Sequence, residues 1–156
     1  MGDYIPTILG MEDDERVVAC KMVYDLVPNH NMIYIFENGK GVKIPMSAYD
    51  AKTKRKKITG AYSSSSPLVA AFYEADKPIK IFIRSDSGRG LLFTSDQLET
   101  KTTRTAGGNQ ILVFSKKKGK VDLATDRLTD LGVDVSKFKK QIPSTGCIIN
   151  QLMFNI

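Results

Sequence analysis

Histidine occurs once in this sequence, tryptophan not at all, and cysteine only twice. With His30 alone, no histidine metal cluster can be assembled, and a Ser-His-Asp site would need it where nothing else in the sequence marks one. Following Pro28 and Asn29, it reads as a loop residue. Cys20 and Cys147 lie far apart and outside any C-x-x-C pair, which excludes the usual zinc and redox signatures. They read as two half-buried small residues in a reduced compartment. No apolar run reaches the length of a membrane span, and the first twenty residues are acidic rather than basic and then apolar, so neither a membrane anchor nor a signal peptide is expected. Gly39-Lys40-Gly41 lacks the G-x-x-x-x-G-K-[ST] spacing of a phosphate loop and leads into an apolar strand-like run instead of a helix; a dinucleotide fingerprint fails for the same reason. Asp86 and Asp96 flank turns and read as turn formers rather than as paired catalytic carboxylates. No catalytic residue, metal or cofactor is expected from these patterns.

What is present is a chain of 156 residues, 42% of them hydrophobic, enough for one domain or one piece of a larger one with a real core. Its formal charge of +6 is unevenly spread. Asp3, Glu12, Asp13, Asp14 and Glu15 face only Arg16 in the first sixteen residues, so the remainder is more basic than the total indicates. Lys101, Arg104, Lys116, Lys117, Lys118 and Lys120 fall in one stretch without a single acid. Clustered positive charge attracts polyanions, nucleic acid first among them, and otherwise serves as a solvated face. The acidic start is expected to lie away from that charge.

The hydrophobic pattern is β. Apolar residues flank Asn38-Gly39 in "NMIYIFENGKGVKIPM" and Ser87-Gly88 in "PIKIFIRSDSGRGLLFTS", two hairpin signals. "NQILVFSKKKGKVDL" reads as a third hairpin turning near Lys118-Gly119, and "SPLVAAFY" as a strand after the loop "SSSS". Helix is scarce: Leu128, Leu131, Val135 and Phe138 are spaced for a short helix or two turns, weakened by Gly132. "GKGVKIPMSAYDAKTKRKK" and "GRGLLFTSDQLETKTTR" align at a constant offset of 49 residues. Gly39, Lys40 and Gly41 fall on Gly88, Arg89 and Gly90, and Lys52, Thr53 and Arg55 fall on Lys101, Thr102 and Arg104. A period near 50 in β-rich sequence marks a propeller-like array with one four-stranded blade per repeat. The glycine-cation-glycine turn does not recur a third time. Tyr49 and Tyr62 flank "KTKRKK" and suit either nucleic-acid contact or blade packing.

These same stretches, over residues 30 to 121, resemble the C-terminal domain of the A subunit of bacterial type IIA DNA topoisomerases, gyrase and topoisomerase IV. A glycine-cation turn, a strand and a basic T-x-R loop recur in order, twice. The resemblance implies an all-β fold, a β-pinwheel or propeller-like array of four-stranded antiparallel blades, partial at about two to three blades, with little helix. It divides the chain into an acidic leader (1–16), a first blade (17–76), a second blade (77–121) and a divergent tail (122–156). It implies sequence-nonspecific binding and bending of duplex DNA, presented to the catalytic core of an ATP-dependent topoisomerase. The implied DNA contacts are Lys40, Lys43, Lys54, Arg55, Lys56, Lys57, Arg89, Lys101 and Arg104. The implied partners are double-stranded DNA, the remainder of the A subunit and the ATPase subunit, with no membrane, in the bacterial cytoplasm at the nucleoid. The chain has about half the family domain's usual length and lacks the gyrase signature Q-R-R-G-G-x-G. It also lacks the strand-passage tyrosine of the N-terminal core, so no DNA cleavage by this chain alone is expected. A second reading, a propeller-like protein-interaction module whose basic loops meet an acidic partner, stands beside the first.

Overall fold

Two apolar strands, "MIYIF" and "IFI", have no polar side, and such strands need cover on both faces. The computed structural model describes residues 30–49, 60–114, 119–131 and 135–149 and shows how that cover is supplied. Two four-stranded antiparallel sheets are built from eight strands: β1 (Asn31–Phe36), β2 (Lys40–Pro45), β3 (Leu68–Glu74), β4 (Lys80–Ser85), β5 (Arg89–Thr94), β6 (Asn109–Gln110), β7 (Val121–Thr125) and β8 (Cys147–Ile148). The strand order is β3-β1-β2-β6 in the first sheet and β7-β4-β5-β8 in the second. No helix among the described residues is long and apolar enough to cross a membrane.

The offset of 49 residues carries each side chain one layer onward. Met32, Tyr34, Val42 and Ile44 line the outer face of the first sheet. Their counterparts Ile81, Ile83, Leu91 and Phe93 fill the space between the sheets, together with Ile33 and Ile35. Phe82, the counterpart of Ile33, lies on the far face of the second sheet with Leu92, Val135 and Phe138. Equivalent residues thus serve successive layers of a stack, as in a propeller, and not the two halves of a closed sandwich. Each fully buried Ile, Leu or Phe in such a layer contributes about 1.5–3 kcal/mol.

Both hairpin turns have the same backbone. Three residues connect the strands, and the third, Gly39 or Gly88, has φ of +82°. Its N–H donates to the last residue of the preceding strand, Gly39 to Phe36 O at 3.1 Å and Gly88 to Ser85 O at 3.2 Å. A three-residue loop ending on a left-handed glycine suits the twist of a hairpin. Asn38 Oδ1 accepts the Lys40 N–H at 3.1 Å and tightens the first turn. Both sheets also share an irregularity where the third strand joins, at Ile35/Phe36 and at Arg84/Ser85.

Two expectations change. Residues 109–125 do not form a hairpin turning near Lys118-Gly119: β6 pairs with β2 in the first sheet, whereas β7 pairs with β4 in the second. The chain between these strands therefore passes from one sheet to the other instead of turning within one. The stretch after β7 holds two 3-10 turns, Leu128–Leu131 and Ser136–Phe138, with no longer helix among its described residues. Phe138 sets its ring edgewise against Phe82 at 5.7 Å, so these turns cover the face that a third hairpin would cover.

The fourth strand of each sheet arrives from later in the chain. β6 follows β5, yet it completes the first sheet. The approach is tight enough to demand glycine at Gly108 and Gly146, whose φ values are +75° and +73°. A Cβ at Gly108 would collide with Gly41 O, and one at Gly146 would stand 2.7 Å from Gly90 O. At Gly88, by contrast, nothing lies within 4 Å. Gly88→Ala is therefore expected to cost only the left-handed backbone term, about 1 kcal/mol, and Gly108→Ala more than about 2 kcal/mol. Urea denaturation of the two variants checks the ranking; equal losses would mean that the exchanged strand is not held by this close approach.

Candidate nucleic-acid interface

The connection that supplies each fourth strand first touches the sheet, then arches away from it. Thr100 bridges Lys43 of β2 in parallel, and Lys101 N–H donates to Lys43 O at 2.8 Å. The chain then leaves the edge and rejoins it where Asn109 pairs with Gly41. On the second sheet Lys139 bridges Leu92 of β5, Lys140 N–H donates to Leu92 O at 3.1 Å, and the chain rejoins where Cys147 pairs with Gly90. Lys43 and Leu92 are repeat counterparts, as are Gly41 and Gly90. The two arches consequently occupy the same position on successive sheets. β3 packs against β7 at the opposite edge of each strand order, so both arches stand on the outer side of the stack.

Lys101 and Arg104 belong to the first arch and are half-exposed. Lys101 Nζ lies 2.9 Å from Glu99 Oε2, and this hydrogen bond and charge hold the Glu99 carboxyl below the usual carboxylate range. Lys54, Arg55, Lys56 and Lys57 lie outside the described residues, as does the acidic start. The segment that carries these four follows Tyr49 and precedes Gly60. Both of those residues border the first arch: the Arg104 guanidinium is close enough to act on the Tyr49 hydroxyl, and a Cβ at Gly60 would meet Thr105 Cγ2 at 3.5 Å.

The tyrosines that flank the block are packing residues. Tyr49 shares its hydroxyl with Tyr34 at 2.7 Å and donates to Ala61 O at 2.8 Å. Burial, reinforced by that shared hydrogen bond, raises the Tyr49 hydroxyl far above the ordinary phenol range, and Arg104 offsets part of the effect. Tyr62 lies over Tyr34 and Phe36, with ring centroids 5.2 and 6.5 Å away.

Lys40 and Arg89 begin the second strand of each hairpin and are half-exposed. Arg89 donates from Nη1 to Gly146 O at 3.1 Å and so fastens the second arch where it meets the sheet. Lys43 departs from the sequence expectation. It is 8% exposed and points into the layer between the sheets. Its Nζ donates to Ser95 O at 3.0 Å and lies 3.7 Å from Glu74 Oε2. Glu74 Oε1 accepts from Asn31 Nδ2 at 2.9 Å, whereas Oε2 has this ion pair but no hydrogen bond. Lys43 joins β2 and β3 to the chain after β5 and does not offer its ammonium to a polyanion. Val42 and Ile44 face one layer and Lys43 the other, and both layers are covered.

Two cations absent from the sequence-based set occupy the second arch. Lys139 and Lys140 are exposed. They fall 39 residues after Thr100 and Lys101, not 49, because the passage from β7 to the second arch lacks a hairpin. A search at a fixed period passes over them; what finds them is the pairing of Lys139 with Leu92, the counterpart of Thr100 with Lys43.

No protein-family profile matches this sequence, and no curated protein sequence does. Solved structures do. A crystal structure of the C-terminal domain of DNA topoisomerase IV superimposes with a TM-score of 0.68 at 17% identity, covering 80% of this chain and 38% of that one. A structure of the DNA gyrase A C-terminal domain superimposes with a TM-score of 0.54 at 16% identity, covering 78% and 39%. The chain shares the fold of these domains and spans just under two-fifths of their length. The expected all-β, propeller-like architecture of partial extent is thereby established.

The buried role of Lys43 has a measurable consequence. Lys43→Ala strands the Glu74 carboxylate and is expected to cost about 3–5 kcal/mol in urea denaturation. Replacing both partners, Lys43→Met with Glu74→Leu, is expected to recover most of that loss. A Lys43→Ala loss under about 1 kcal/mol would place the ammonium in solvent instead.

Proposed function

We propose that this chain binds duplex DNA without regard to sequence and bends it, as part of the C-terminal domain of a bacterial type IIA topoisomerase A subunit. The observation that carries this reading is the pair of equivalent basic arches on the outer side of successive sheets. The fold likeness supports the family; the distribution of charge supports the ligand. Lysine and arginine on arches neutralise phosphates and release counterions, and they carry no code for bases. Cations that repeat from sheet to sheet around a propeller follow an arc, and a duplex that meets them all must curve. Chemistry on DNA belongs, in this reading, to the rest of the A subunit and to the ATPase subunit in the bacterial cytoplasm. The present chain holds a DNA segment for them.

The contacting set is Lys40, Lys54, Arg55, Lys56, Lys57, Arg89, Lys101 and Arg104. Lys43 is left out, since its ammonium is engaged inside the fold. Half-exposed cations such as Lys101 and Arg104 contribute little to stability, so neutralising them leaves the fold within about 0.5 kcal/mol; Arg89, which also fastens Gly146 O, is the exception.

Binding to a random duplex, measured across salt concentrations, tests the proposal. Each phosphate that is no longer neutralised removes about 0.9 from the slope of log affinity against log salt. Arg104→Gln is expected to remove about one unit. The fourfold Lys54→Gln, Arg55→Gln, Lys56→Gln, Lys57→Gln variant is expected to remove about two, because four consecutive cations seldom all reach phosphates at once. AT-rich and GC-rich duplexes should lose affinity alike. Unchanged slopes would make the cations a solvated face, and capture of an acidic protein in place of duplex would favour an interaction module.

A further inference from the structure

The tail after β7 presents a puzzle. It lacks the glycine-cation-glycine turn, yet it ends by doing what the first connection does. Its chain touches the second strand of a hairpin at Leu92, arches away, passes a left-handed glycine and adds a short fourth strand. Between β7 and that touch the described residues form two 3-10 turns, and this stretch supplies Leu128, Val135 and Phe138 to the far face of the second sheet. In the first connection the same interval holds a complete hairpin, β4 and β5. The tail is therefore a blade reduced to its cover and its arch.

The tail has no described hairpin there, yet it carries charge at the arch. The residue that touches the sheet and the one after it are Thr100 and Lys101 in the first arch, and Lys139 and Lys140 in the second. Lys101 is half-exposed and paired with Glu99. Lys139 and Lys140 are both exposed, and neither forms an ion pair with another described residue. Their backbone is not free to drift. Lys140 N–H is bonded to Leu92 O, Ile142 N–H donates to Gln97 Oε1 at 2.9 Å, and Ser144 N–H donates to Ile111 O at 3.0 Å. Farther on, Arg89 holds Gly146 O. These attachments, spread over a few consecutive residues, hold the backbone of two consecutive exposed lysines in a fixed arch.

Resting on the DNA-binding reading above, we infer that Lys139 and Lys140 form a further duplex-phosphate contact, continuing the cation track beyond the last complete hairpin. A fixed cation reaches a phosphate at less entropic cost than one on a mobile loop. Two such cations contribute about two units of salt slope.

The test compares the whole chain with two double variants, Lys139→Gln with Lys140→Gln, and Lys101→Gln with Arg104→Gln, on one random duplex across salt. Wild type is expected to lose about tenfold more affinity than the Lys139/Lys140 variant over a roughly fourfold rise in salt. Arginine at both positions should restore the wild-type dependence, and thermal unfolding should be unchanged in both. A Lys139/Lys140 variant with the wild-type salt slope, alongside a Lys101/Arg104 variant with a reduced one, would overturn this inference and leave the DNA-binding reading standing. No measurable duplex binding by wild type at low salt would overturn both.

Discussion

The structure depends on a close approach between backbones. Each hairpin needs a partner on its outer edge, and the partner comes from later in the chain: β6 from a segment that has already served the second sheet, β8 from the tail after β7. Either segment can dock only if nothing stands between its backbone and the glycine it meets. Gly108 over Gly41, and Gly146 over Gly90, meet this condition with glycine on both sides. Docking covers edge strands that would otherwise be open to pairing with other chains, and at β6 it also ties the two sheets together, since the strands before and after β6 belong to the second sheet. The layers of apolar side chains add most of the stabilising area, but they do not by themselves fix which sheet a passing segment completes.

Function follows from the same geometry. A chain that touches the edge of a sheet, leaves it and rejoins the same edge makes an arch, and the arch is held at both ends. Charge placed on it is displayed outward with limited freedom. Charge placed one layer inward has another fate. Lys43 is four residues from the first turn glycine and resembles its basic neighbours in sequence, yet its ammonium is enclosed by Glu74 and Ser95. Its repeat counterpart is Leu92, an apolar residue packed in one cluster with Phe138. This buried charge, at a position that elsewhere takes leucine, ties β2 and β3 to the chain after β5, and only the direction of the side chain separates it from Lys40 or Lys101.

Much of this was legible in the sequence. The 49-residue offset places both hairpins and both left-handed turn glycines where the structure has them, and the apolar run "LVAAFY" is the strand it reads as. Local rules suffice there, because turn chemistry and alternation act over a few residues. What failed were statements about partners. "NQILVFSKKKGKVDL" has the composition of a hairpin, and nothing local says that its halves join different sheets. Alternation along "KGVKIP" could not say which layer Lys43 enters, because both faces of that strand are buried. The tail was opaque because its repeat is shortened: with the hairpin gone, the fixed period no longer reaches Lys139 and Lys140. Their equivalence to Thr100 and Lys101 rests on pairing across more than forty residues, which only the fold provides.

In the proposed DNA-binding role, curvature of the bound duplex is the property that would bring sheets, arches and charge together. A short duplex of random sequence, labelled at both ends for energy transfer, reports it directly. Cations displayed along an arc predict that saturating the duplex with this chain shortens its end-to-end distance, equally for AT-rich and GC-rich sequences, and that added salt reverses the change. A duplex that binds and keeps its full length would contradict the arc, and a duplex that binds only as one sequence would contradict recognition through phosphates.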